Sequence, residues 1–116
     1  MRIELNSDFH NKMRASYPFL KDIEDAIERV MGVSLEDIRS RDRRKHTSMA
    51  RIIYVKLVDK RVTPSYHLSS YMNRDHGTLC YFEKSFDGMY KFDKAFNGVF
   101  NQVFDAFNKK DKDGNI

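Results

Sequence analysis

Two stretches of this chain hold the side chains with chemistry to offer. The first is Met72-Asn73-Arg74-Asp75-His76-Gly77-Thr78-Leu79, a polar knot between two segments of helical periodicity. The second is Arg39-Ser40-Arg41-Asp42-Arg43-Arg44-Lys45, in which five of seven residues are cationic and none is apolar. Such a segment cannot be core; it is a solvated loop whose charges repel one another unless an anion joins them. In the first stretch Asn73 is placed to cap a helix, gathering Arg74, Asp75, His76 and Thr78 on its first turn. A helix start with hydrogen-bonding groups of both senses suits the base edges of a DNA major groove. The plainer reading of each stretch is a capped helix start and a soluble connection.

Other chemistry finds less support. Asp75-His76 lacks a third member for a catalytic triad, and the chain has no nucleophile elbow, no paired carboxylates in an apolar setting and no GxxxxGK[ST] phosphate loop. The expectation is therefore no enzyme and no bound nucleotide. His76 and Cys80 stand four apart, but His10, His46 and His67 complete no recognisable ligand set. Neither metal nor cofactor is expected, and Cys80 reads as a small helix residue.

The 116 residues suffice for one domain with a single core. Lysine and arginine number 21 against 17 acidic residues, a formal charge of +4 that permits nucleic acid or anionic lipid as partner without demanding either. One cysteine excludes an intramolecular disulfide and fits a reducing, cytoplasmic setting. No apolar run approaches the roughly 18 residues of a spanning helix, and Met1 to Asn6 has no signal-peptide character, so no membrane is expected.

The elements that must position the two stretches follow from periodicity. Residues 1 to 16 read as an arm or irregular lead-in. Pro18 opens a helix whose stripe of Leu20, Ile23, Ile27, Val30 and Met31 ends at Gly32. Ser34 and Asp37 stand at capping-box spacing before a short helix with Leu35 and Ile38 inward. Beyond the basic loop, a cap at Thr47 or Ser48 predicts a central, buried helix through Arg61, with Arg51, Lys56 and Lys60 toward solvent. Thr63-Pro64 starts a two-turn helix to Met72, and the helix after the Asn73 turn runs to about Asp87 on Leu79, Phe82 and Phe86. The last element, Met89 to Phe107, carries a phenylalanine-rich stripe, with Asn97-Gly98 as a candidate break. That stripe suits packing against the domain, or a homodimer seam or partner helix. Residues 17 to 108 thus make one all-α domain, and 109 to 116, rich in Lys, Asp, Gly and Asn, should fray. Two short helices joined by a tight polar turn, behind a buried helix and a basic loop, make a helix-turn-helix arrangement.

Together these segments resemble the C-terminal DNA-binding domain, domain IV, of the bacterial chromosomal replication initiator DnaA, from about residue 19 to 86. The likeness runs through Val30-Met31-Gly32-Val33, Leu35-Glu36-Asp37-Ile38, the basic loop and the helix from Met49, and culminates in Leu68 to Leu79 with its Arg-Asp-His turn. It implies a Trp-repressor-like helix-turn-helix bundle that binds double-stranded DNA, to which this chain adds a phenylalanine-rich C-terminal helix. By position, the base-reading roles fall on Asp75, His76 and Thr78. The minor-groove arginine falls on Arg43 with Arg41, Arg44 or Lys45 as neighbours, and phosphate contacts on Arg51 and Arg74. Gly77 stands where the family usually has Ser or Thr, the turn is one residue short, and Asp42 interrupts a loop usually free of acid. The expected function is sequence-specific duplex binding in replication control or transcription regulation. The alternatives are a protein-interaction module on the same scaffold and non-specific nucleic-acid binding through the basic loop.

Overall fold

The computed structural model describes residues 11–13, 15–58 and 63–114, with side chains to Asn108. Six helices carry the fold: α1 (Phe19–Met31), α2 (Leu35–Arg39), α3 (Lys45–Leu57), α4 (Ser65–Met72), α5 (His76–Phe92) and α6 (Lys94–Gly114). Among the described residues there is no strand, as the all-α expectation requires. No helix there is long and apolar enough to cross a membrane.

Each boundary has a local cause. The α1 stripe buries Leu20, Ile23, Ala26, Ile27 and Met31, and Gly32 ends the helix in the left-handed region at φ 71°. The capping box of α2 forms as the spacing predicts: the Asp37 amide donates to Ser34 Oγ at 3.1 Å, and the Ser34 amide to Asp37 Oδ2 at 3.2 Å. Helix α3 begins at Lys45, earlier than expected, because Thr47 does not cap it; its hydroxyl donates instead to Asp42 Oδ2 at 2.9 Å. Every residue from Met49 to Val55 is buried, so α3 is the central helix. It touches α1, α2, α5 and α6. The helix ends at Leu57, with Val58 already in extended backbone, so it stops short of the expected Arg61; Lys60 lies outside the described residues.

Part of the lead-in joins the body. Residues 11–13 and 15–16 are helical, and Met13 is buried in the core. The C-terminal region also departs from expectation. Helix α5 continues through Gly88 to Phe92, and α6 then runs for 21 residues through Gly98 and past Asn108 to Gly114. The break falls at Asp93, whose Oδ1 accepts from the Phe96 amide at 3.1 Å and so starts α6. A side-chain cap outweighs the glycine, whose cost is only about 1 kcal/mol relative to alanine. Helix α6 folds back onto α1, the most extensive helix pairing in the molecule, with Phe96 and Val103 fully buried.

A buried polar cluster crosses this core. Tyr54 of α3 and Tyr71 of α4 both donate to Glu24 Oε2 of α1, at 2.7 and 2.6 Å. Burial, then the neighbouring Glu24, pushes the Tyr54 hydroxyl well above its ordinary pKa, so it remains a donor at every physiological pH.

Candidate nucleic-acid interface

The turn between α4 and α5 is built differently from the expectation that Asn73 caps the second helix. Asn73 is instead the left-handed end of α4, at φ 60°. Its amide donates to the Ser70 carbonyl at 3.1 Å and the Arg74 amide to the Ser69 carbonyl at 2.8 Å, the paired bonds of a Schellman motif. Asparagine tolerates that conformation better than other non-glycine residues. Asp75 then caps α5: its Oδ1 accepts from the Thr78 amide at 2.8 Å and the Thr78 hydroxyl at 2.9 Å. These two bonds to Thr78 hold the Asp75 carboxyl below its usual pKa. Asp75 and Thr78 are therefore already joined to one another, which leaves only their remaining lone pairs and faces for any ligand.

The basic loop owes its shape to arginines. Arg51, expected in solvent as a phosphate contact, is only 4% exposed. Its guanidinium donates to four backbone carbonyls, those of Ile38 (2.8 Å), Asp42 (2.6 Å), Ser40 (2.8 Å) and Asp37 (3.2 Å). Those carbonyls lie at the end of α2 and along the loop, and Arg51 supplies donors to them, with the Asp37 carbonyl also accepting from the Ser40 amide and hydroxyl. Arg74 lies across from it. Arg74 Nη1 donates to the carbonyls of Asn73 at 2.9 Å and Arg39 at 3.3 Å, and Nη2 to the carbonyl of Ser40. Arg39 reaches back the other way, donating through Nε to the Tyr71 carbonyl at 2.7 Å.

Asp42 belongs to the same scaffold. It accepts from the backbone and guanidinium of Arg44, the closest contact at 2.7 Å, as well as from Thr47. Bonding to Arg44 is the main reason that the Asp42 carboxyl titrates far below its ordinary range. Lys45 reaches Asp93 at 3.7 Å, a link to the α5–α6 corner. Of the five loop cations, Arg41 and Arg43 are exposed and have no side-chain bond or ion pair among the described residues.

A cleft of about 590 Å³ separates loop from turn, lined by Arg41, Asp42, Arg43, Arg51, Asn73, Arg74, Asp75 and Thr78. It brings together six of the nine residues singled out by sequence and leaves Arg44, Lys45 and His76 beside it, all exposed. Burial, then the charges of Arg41 and Arg39, lowers the Arg74 pKa, as expected of a cation among cations. The rim thus attracts anions, while the α5 start adds the partial positive charge of its amides. Cys80 Sγ lies 3.9 Å from His76 Nδ1, and among the described residues no three His, Cys, Asp or Glu side chains gather as a metal set. Sequence reasoning missed the Glu24 cluster and the carbonyl-holding role of Arg51. The signal for both was a charged residue inside an apolar stripe, Glu24 between Leu20 and Ile27 and Arg51 within Met49 to Val55.

Compared with family models, characterised proteins and solved structures, the chain matches none of them.

Proposed function

We propose that the protein is a sequence-specific binder of double-stranded DNA, using a DnaA domain IV-like helix-turn-helix in replication control or transcription regulation. The observation that carries this reading is the cleft, which sets the two uncommitted arginines, Arg41 and Arg43, beside the exposed start of α5. In this reading α5 enters a major groove by its N-terminus. His76, with what the Asp75–Thr78 cap leaves available, meets base edges, and Arg43 with Arg41 follows the backbone into the adjacent minor groove. A minor groove narrowed by A·T pairs concentrates negative potential and favours an inserted arginine. Arg44 and Lys45 add to the positive rim.

Selection of bound duplexes from a random pool, followed by titration at several salt concentrations, tests the proposal. A recovered consensus bound well above random duplex at near-physiological salt is the expected result. His76→Ala should remove roughly 1–3 kcal/mol of discrimination at one base pair, while Arg43→Ala should weaken binding where A·T pairs flank the site. Equal binding to all duplexes, lost in step with salt, would leave only a non-specific role.

A second reading has its own observation. Phe92 is 80% exposed, and Tyr90 of α5 and Phe104 of α6 are also exposed, which favours a protein-interaction module. A stable dimer or complex with no affinity for any duplex would select that reading.

A further inference from the structure

We infer that Arg74 is a positioning residue that sets the loop at a fixed distance from the α5 start, so that one rigid unit presents both reading elements. This inference rests on the DNA-binding reading and changes the role of Arg74 from phosphate contact to internal brace. The Ser40 carbonyl accepts from both Arg51 Nη2, at 2.8 Å, and Arg74 Nη2. Arg51 springs from α3 and Arg74 from the turn before α5, so two guanidiniums from different elements meet on one carbonyl of the loop. A carbonyl oxygen has two lone pairs, and here both find a charged donor.

The neighbouring bonds close the brace. Arg74 Nη1 and Asn73 Nδ2 both donate to the Arg39 carbonyl at 3.3 Å, and Arg39 Nε donates to the Tyr71 carbonyl. The loop start and the α4 end are therefore bonded in both directions. Tyr71 is anchored in turn by its hydroxyl on buried Glu24. Past Ser40 the loop is held by the Asp42 amide on Ser40 Oγ at 3.1 Å, the Arg44 amide on Asp42 Oδ1 at 3.0 Å and, from α3, by Arg51 on the Asp42 carbonyl and the Thr47 hydroxyl on Asp42 Oδ2. Arg41 and Arg43 sit in this section, so their reach toward a groove depends on where Ser40 is held. A lysine cannot replace the brace, because an ammonium lacks the planar fork that spans two carbonyls.

Amide hydrogen exchange on the free protein and DNA titration together test the inference with Arg74→Gln, and with Arg74→Lys should the glutamine variant lose helicity. In the free variant, exchange at the Asp42 and Arg44 amides should rise at least about tenfold while α1 amides keep the parent rate. Parent-like exchange throughout the loop would overturn the brace, whatever the protein binds. On selected DNA, Arg43→Ala should weaken binding less than half as much in the Arg74→Gln background as in the parent, since an unbraced loop no longer delivers Arg43. Independent, multiplicative losses, with the salt slope reduced by about one, would identify Arg74 as a phosphate contact and overturn the inference. Failure of the parent to prefer any duplex is a separate outcome: it removes the DNA reading, while the exchange rates still decide the brace.

Discussion

The cleft face and the seam between α5 and α6 are held by opposite kinds of force. At the cleft, charged donors meet backbone carbonyls at 2.6–3.3 Å, with Arg51, Arg74 and Arg39 each spanning separate elements. At the seam, Phe86 packs edge-on against Phe96 and Phe100 at centroid distances of 5.6 and 4.8 Å, and Phe100 stacks on Phe104 at 5.9 Å. Hydrogen bonds weaken steeply with angle and distance, whereas apolar contact depends mostly on volume. The difference teaches that this fold places accuracy along the basic loop and the turn before α5 and tolerance where only burial is needed.

The sharpest way to break that comparison is to make conservative changes on both sides. Arg51→Met should destabilise the protein by about 3–5 kcal/mol, because four loop carbonyls lose a buried donor. Arg51→Lys should recover less than half of this, while Phe96→Met at the fully buried seam position should cost under about 1.5 kcal/mol. Urea denaturation measures all three, and a lysine variant as stable as the methionine seam variant would erase the distinction. Next in size, Tyr71→Phe should cost about 1–2 kcal/mol by removing a donor to buried Glu24, with the same denaturation curves as readout.

Acid sharpens the contrast without mutation. Asp42, Asp75 and Asp93 all have lowered pKa values, so their contributions are complete above the ordinary aspartate value of about 3.9 and are lost as pH falls below it. Amide exchange across that window should show the loop and the starts of α5 and α6 loosening before the Phe86–Phe96 seam. The smallest effect is expected at Gly77. A Cβ there meets only Asp75 Oδ1, at an ordinary 3.5 Å, so Gly77→Ala should raise stability by about 0.5–1 kcal/mol, read as a higher Tm.

How much of this was legible in the sequence varied with the physics involved. Helix α1, its Gly32 stop and the Ser34 capping box depend on neighbours along the chain, so pattern alone located them. The residues lining the cleft were also legible, since a cationic loop and a polar turn have to lie on the surface. Which cations stay exposed and which face carbonyls was not. Arg43 and Arg51 look alike as letters, and only the carbonyls that residues 37 to 42 offer beside α3 decide that Arg51 turns inward. The Asp75 cap was hidden for a similar reason: Asn73 and Asp75 are both good caps, and the left-handed turn needed the asparagine first.

The return of α6 onto α1 has a consequence for how the molecule is made. A ribosome adds residues in order, so the loop, α3, α4 and α5 all exist before the helix that pairs most extensively with α1. Until Phe96 and Val103 emerge, the nascent chain has the residues of its cleft but not the packing that closes its core. Emergence of α6 thus completes the packing of a core beneath a cleft whose lining residues, Arg41 to Thr78, all precede it in the chain.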